Sequence, residues 1–443
     1  MPIKLSFYLI LFTFSGLSFA NNTCDNLISN TQIHQKLINQ GTYRNEFSRD
    51  KSAKINFDYT VETPFSEYLA FAKKQIIQSN PRALWSCEKY KTAMFQQYKQ
   101  NNTANVLNLI SPYELTIKNN NKVIILIHGL TDTPYHFHDL SKQFYEMGFD
   151  VRTLLLPGHG TTPTELSKTS YKDWQLATHY IIENSKKDYE QVLLGGFSTG
   201  GALIFDYLQK NNKDDKIKAA LFWSLGSEAK SSNAWLSPYL NYLPFLTWLD
   251  KAADIDFAKY ESFPLNAAAQ FYLLSENITD LLDVPLSKSF NIPFFAVSSD
   301  VDNTINSETS YKLFSKWQQK KETKNAMLSR YDENTNTTIA LCDKKPCYKI
   351  LDISHTGVTN AYYNPLYGQN SQYRNCSHYL SEPNLYINCL KTDTFGENHE
   401  KNTAQFGTSD KTMARLTFNP HFDKMLHDIK QFLKNNALLN KGS

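Results

Sequence analysis

Between residues 122 and 225, short apolar runs rich in β-branched residues alternate with segments of helical spacing, and this alternation leaves few folds open. From residue 123, "VIILIHG" is apolar without interruption until a glycine stops it, the pattern of a strand buried on both faces. "HFHDLSKQFYEMG" then spaces its apolar residues as a helix and ends in glycine. "DVRTLLLPGHG" reads as strand and loop, "YKDWQLATHYIIENSKK" as helix, "QVLLGGFSTGG" as strand and turn, "ALIFDYLQKN" as helix and "IKAALFWSL" as strand. Strands and helices alternating at this pace build a mostly parallel sheet with crossover helices on both faces.

The rhythm breaks over 228–288, which is aromatic-rich, helical in tone and interrupted by Pro238, Pro244 and Pro264. It returns at "IPFFAVSSD" (strand), "SETSYKLFSKWQQ" (helix) and "YKILDISH" (strand), and "HFDKMLHDIKQFLKN" closes the chain as an amphipathic helix. The expected organisation is one α/β domain in two halves, 119–227 and 289–443, with 228–288 inserted as a cap. Residues 21–118 carry one or two helices, such as "FSEYLAFAKKQIIQSN", and form an N-terminal extension.

Residues 1–20 place Lys4 before an apolar stretch ending in Ser18-Phe19-Ala20, the layout of a cleavable signal peptide; Ser15, Gly16 and Ser18 interrupt it as a membrane anchor. An exported chain with six cysteines and no CxxC or Cys/His metal spacing is expected to pair them. Proximity favours Cys24 with Cys87, Cys342 with Cys347 and Cys376 with Cys389. Export ends in the periplasm or outside the cell. The balance of 46 basic and 43 acidic residues, scattered along the chain, offers no electrostatic footprint for nucleic acid.

Only 16 of the 443 residues are glycine, yet four fall within "GGFSTGG" at 195–201. Gly196-Phe197-Ser198-Thr199-Gly200 sits between a strand and a helix, where glycines two residues either side of a serine give clearance for a sharp turn. Such a turn lifts one hydroxyl above the sheet edge. A hydroxyl becomes a useful nucleophile when a histidine takes its proton and an acid holds the histidine. After Ser198, the strand "IPFFAVSS" ends in "DVDNTI" and the strand "YKILDIS" ends in His355, so Asp302 and His355 are expected on loops at the same sheet edge as the serine. Asp300 is the rival acid; Asp302 is favoured because it follows the strand by a loop's length. His378, His399, His421 and His427 read as surface residues, and His159 in "LPGHG" as structural. The backbone amides of Leu130, just past "IHG", and Thr199 are the natural donors to a developing oxyanion.

"IHGLTDTPYHFHDL", "LPGHGTTP", "DWQLATHY", "GGFSTGG" and "DNTI", in that order, resemble the α/β-hydrolase superfamily, in its monoacylglycerol lipase, carboxylesterase and serine-aminopeptidase-like branch. The resemblance covers roughly 120–227, 289–360 and the terminal helix. It implies an α/β-hydrolase fold, a cap inserted after the sixth strand, and a serine acyl-enzyme mechanism with no cofactor or metal. The separation of Asp302 from His355, 53 positions, exceeds the family's usual gap and points to an inserted hairpin around "CDKKPC". The expected activity is hydrolysis of carboxylic esters, as an esterase or lipase. The aromatic cap, with Trp235, Tyr239, Tyr242, Phe245, Phe263 and Phe271 among its rings, suits an acyl chain and transient contact with a lipid surface. A serine aminopeptidase or thioesterase on the same fold is the alternative, with Asp250, Asp254, Asp256 and Glu261 available to hold an amino group. A non-catalytic binding module is the third reading.

Overall fold

In the computed structural model, which describes residues 23–30, 34, 56–99, 103–243, 245–252, 254–320, 323, 325–331, 339–341, 348–379, 382–397 and 412–439, the alternating segments form a seven-stranded sheet. Its strands are β1 (Glu114–Leu115), β2 (Lys122–Ile127), β3 (Asp150–Leu154), β4 (Gln191–Phe197), β5 (Ile217–Trp223), β8 (Phe294–Ser299) and β9 (Met327–Tyr331); β6 (Trp248–Asp250) and β7 (Phe263–Pro264) pair separately. The order is β1-β3-β2-β4-β5-β8-β9, parallel throughout except for β1. This is the α/β-hydrolase architecture.

The uninterrupted apolar runs have a direct cause in the packing. Along β2, Val123, Ile125 and Ile127 enter one hydrophobic cluster while Ile124 and Leu126 enter the other, so neither face meets water. The first cluster is closed by helices Tyr171–Asp188, Thr199–Lys210 and Ser307–Gln318 through Trp174, Leu203 and Trp317. The second is closed by helices His138–Glu146 and Phe422–Asn435 through Phe144, Ile429 and Phe432. Helix Tyr171–Asp188 is punctuated at its start by a capping box, Ser170 and Asp173 each satisfying the other's backbone amide.

The extension contributes more than helices. Besides the expected helix, Phe65–Ser79, it supplies β1 to the sheet edge. Tyr68 of that helix clasps Leu155, donating to its carbonyl at 2.9 Å and accepting from its amide at 2.8 Å, and Asn80 donates to the Gly160 carbonyl at 2.9 Å. The extension thus holds the 155–160 loop from beneath. The segment expected to be a helical cap holds helices Ser237–Leu240 and Leu265–Thr279, but also the antiparallel pair β6/β7.

One expectation is corrected. The strand read over 348–355 does not belong to the central sheet. β9, a mixed sequence without a strong apolar signal, takes the place beside β8, pairing Phe295 with Met327 through Ser299 with Tyr331. Residues 348–350 instead form β11 (Tyr348–Ile350) of a small second sheet ordered β10-β11-β12-β13, with β10 (Ile339–Leu341) antiparallel to β11 and with β12 (Thr394–Gly396) and β13 (Ala414–Arg415) parallel. The β10/β11 pair flanks "CDKKPC". Cys24 pairs with Cys87 and Cys376 with Cys389, at Cα separations of 4.9 and 5.9 Å. The proposed Cys342–Cys347 pair, the first 20 residues and His399 lie outside the described residues. Among the described residues no helix is long and apolar enough to cross a membrane.

Candidate active site

Ser198 occupies the turn between β4 and helix Thr199–Lys210 with φ of 49° and ψ of −115°, a left-handed conformation rare for any side chain but glycine. Neighbouring backbone holds it there: its amide donates to the Trp223 carbonyl at 3.0 Å, and its carbonyl accepts from Gly226 at 3.0 Å and Ala202 at 3.1 Å. The flanking glycines are steric requirements. A Cβ on Gly196 would meet the Gly201 amide nitrogen at 2.5 Å, and one on Gly200 would run into the Ile127 carbonyl. Backbone cannot retreat as a side chain can, so Gly200→Ala is expected to cost at least ~3 kcal/mol, read as a loss of denaturant midpoint or of soluble folded protein.

Above this turn the structure brings together residues far apart in sequence. His355 Nε2 lies 3.0 Å from Ser198 Oγ, and His355 Nδ1 lies 2.6 Å from Asp302 Oδ2. The other Asp302 oxygen accepts the Thr304 and Ile305 amides at 2.7 and 2.9 Å. Burial alone would raise the Asp302 carboxyl, but the His355 imidazole and these two amides hold it below the usual carboxylate range. Asp300 turns elsewhere. It accepts from the Tyr311 hydroxyl at 2.5 Å and from Arg330 of β9 at 2.9 Å. His355 itself opens a 3-10 turn, His355–Val358, rather than ending a central strand.

Leu130 and Thr199 line the same cavity as Ser198, and neither amide has a protein acceptor among the described residues. The loop carrying Leu130 is braced from below. His159 Nε2 accepts the Thr131 amide at 3.0 Å while its Nδ1 faces the Leu156 and Pro157 carbonyls, and His128 Nε2 accepts the Leu156 amide at 3.1 Å. A ring nitrogen that accepts from N–H cannot carry a proton, so both imidazoles are neutral with hydrogen on Nδ1. Burial accounts for the same outcome: it pushes His159 down to about 4 and His128 well below the usual range. His136, which stacks on Phe197 at 4.4 Å and shares a hydrogen bond with Thr359, is likewise held by burial at about 4. Among the other histidines, His378 and His427 are exposed and His421 is half-buried.

The cavity over Ser198 is about 550 Å³. Its apolar wall comes from the cap: Leu236, Leu240, Leu249, Phe263, Leu265 and Phe271. This revises the expectation placed on the aromatic rings. Phe263 and Phe271 line the cavity, whereas Tyr239, Tyr242 and Phe245 face solvent, the last two 87% and 81% exposed, and Trp235 is half exposed. Phe257 is buried against Tyr135 and serves packing, while Tyr260, stacked on His159, also lines the cavity. Of the cap carboxylates, Asp254 is consumed by Ser262 and two backbone amides, and Asp256 by Tyr367 and the Ala258 amide. Asp250 and Glu261 reach the cavity. Glu261 is pushed up to about 7 by burial, with Asp256 and Asp254 adding to it, so it carries only part of a charge at neutral pH.

Thr304, Asn375, Ser377 and Arg415, from outside the cap, also line the cavity. No motif in the sequence marks the last three. They come from a segment without strand–helix alternation, and only the chain's return over the site gives them a place. Among the described residues no cluster of His, Cys, Asp or Glu could hold a metal ion.

The family described as alpha/beta hydrolase fold matches residues 122–322. The chain is similar to the carboxylesterase of Bacillus subtilis (strain 168), 23% identical over 229 residues that make up 52% of this chain and 89% of the relative. It is also similar to the thermostable monoacylglycerol lipase of Bacillus sp. (strain H-257), 29% identical over 91 residues, 20% of this chain and 36% of that one. A crystal structure of the Paleococcus ferrophilus monoacylglycerol lipase covers 51% of this chain and 90% of its own, at 17% identity and a TM-score of 0.41.

Proposed function

We infer that this chain, a member of the α/β-hydrolase superfamily, is an esterase or lipase that cleaves carboxylic esters through an acyl-enzyme on Ser198. The observation that carries this reading is the hydrogen-bonded series Ser198–His355–Asp302 opening into a cavity with an apolar wall. In it, His355 Nε2 takes the Ser198 proton as Oγ attacks the ester carbonyl, and Asp302 stabilises the imidazolium that forms. The Leu130 and Thr199 amides, which have no protein acceptor among the described residues, receive the oxyanion. The imidazolium then protonates the departing alkoxide. Water, deprotonated by the same imidazole, attacks the acyl-enzyme and releases the acid. No step requires a cofactor.

The acyl group is assigned to the cap side, where Leu236, Leu240 and Phe271 offer apolar surface without polar partners to satisfy. Leu240→Trp fills that arm. The expected result is a shift of at least about tenfold in the kcat/KM ratio of p-nitrophenyl butyrate to laurate, because each methylene excluded is worth roughly 1 kcal/mol or more. An unchanged ratio would place the acyl chain elsewhere.

The exposed Tyr239, Tyr242 and Phe245 on the outside of the cap support transient contact with a lipid surface, and the leader-like first 20 residues with the paired cysteines support export. An aminopeptidase would need a fully charged carboxylate facing the scissile bond. Asp254 and Asp256 are consumed internally and Glu261 is raised to about 7; Asp250 still reaches the cavity, so the apolar wall, rather than the loss of every carboxylate, favours the ester reading. Graded p-nitrophenyl esters run beside amino-acid nitroanilides test it: turnover of the anilides with inert esters would reverse the assignment.

A further inference from the structure

His355 is not delivered by a central strand, so something else must keep it aligned with the acid loop that carries Asp302. Both approach the small sheet, beyond the 122–322 stretch that matches the family. On the histidine side, Ser354 and Thr356, flanking His355, both donate to the Leu416 carbonyl, the latter at 3.0 Å. On the acid side, Arg415 and Glu397 form a bidentate pair, Nε to Oε2 at 2.6 Å and Nη2 to Oε1 at 2.5 Å. The pair grips the loop next to Asp302: Glu397 Oε1 accepts the Asn303 amide at 3.0 Å, and Arg415 Nη2 donates to the Thr304 hydroxyl. The Glu397 side chain is 0% exposed and does not line the cavity, so its carboxylate has no role at the surface or against substrate.

We propose that the Glu397–Arg415 pair is a positioning device, which ties the Asp302 loop to the strand end whose next residue, Leu416, anchors the His355 turn. Two segments that the central sheet does not hold in common register are thereby set against each other through one short stretch of β13. A bidentate pair with its carboxylate fully buried suits this task because its geometry is rigid and the buried Glu397 does not tolerate loss of Arg415. The device rests on the serine-hydrolase reading above, since it aligns the base and acid of that mechanism.

The charge of the pair reaches the acid: Arg415 interacts with Asp302 as well as with Glu397, while His355 meets Asp302 on the acid loop and lies near His136 on the turn after β2. Because the Glu397 carboxylate does not line the cavity, its loss acts on turnover through the loop it holds and leaves substrate binding in place.

The test compares wild type with Glu397→Gln, Arg415→Met and Arg415→Lys, measuring kcat and KM on p-nitrophenyl butyrate and the rate of Ser198 labelling by a fluorophosphonate probe. Expected for Glu397→Gln is a roughly tenfold fall in kcat and in labelling rate with little change in KM, since its carboxylate does not line the cavity. Arg415→Met is expected to lose as much kcat, with part of the loss recovered in Arg415→Lys. An effect confined to KM, or unchanged kcat and labelling in Glu397→Gln, would overturn the proposal. Glu397→Gln keeps the side chain's shape and decides the matter if Arg415→Met does not fold. A wild type that is labelled but leaves esters uncleaved counts against the ester reading, while the labelling rate of Glu397→Gln still decides the clamp.

Discussion

Ser198→Ala is expected to abolish ester hydrolysis, with kcat falling by about 10⁶-fold toward the uncatalysed rate, while the thermal midpoint stays within a few degrees of wild type. The asymmetry follows from what the side chain contacts. Its hydroxyl has His355 as its hydrogen-bond partner, and the strained turn is held by backbone bonds to Trp223, Gly226 and Ala202 that alanine keeps. A fluorophosphonate probe should label wild type and leave the variant unlabelled. Equal hydrolysis by the two proteins would remove Ser198 from the chemistry and turn attention to the cavity as a binding site.

Asp302→Asn is expected to lower kcat by about 10⁴-fold, and Asp300→Asn by no more than about threefold. An amide at position 302 can offer its N–H to His355 Nδ1 and so favours the tautomer with hydrogen on Nε2, which cannot accept the Ser198 proton. It also leaves the imidazolium unstabilised. Asp300, by contrast, answers to Tyr311 and Arg330, and its loss reaches the stability of the β8/β9 edge before it reaches His355. The same ester assay on both variants settles which acid serves; comparable losses would show that the acid loop moves as a unit.

How much of this was legible beforehand depended on distance along the chain. The strand–helix alternation of 122–223 and the serine turn are local patterns, and β2, β4 and β5 run where the apolar residues said they would. That Leu130 shares the cavity with Ser198 follows from the same rule, because the neighbouring parallel strands β2 and β4 end at one edge, while Thr199 is Ser198's chain neighbour. His355 stands at the end of a strand-like run and does reach Ser198, but by another route: β11 lies in the small sheet and β9 fills the expected place. β9 leaves no strand signal in the sequence because its burial is partial and its residues mixed. In sequence the rings of the cap form one group, yet the structure divides them among cavity, interior and solvent. Their helical and irregular spacing over three prolines gives no period from which to tell inward from outward.

Sequence alone determined the class of fold, the turn that raises Ser198 and the two candidate acids, since each depends on steric and burial rules acting within a dozen residues. Tertiary structure decided which acid meets His355, how that histidine is held, and which residues outside the cap line the cavity. Those depend on contacts such as Glu397 with Asn303 and Leu416 with Thr356, closed over long loops. No local propensity encodes such contacts; they form only when the packing of the whole chain compensates the entropy of bringing the segments together.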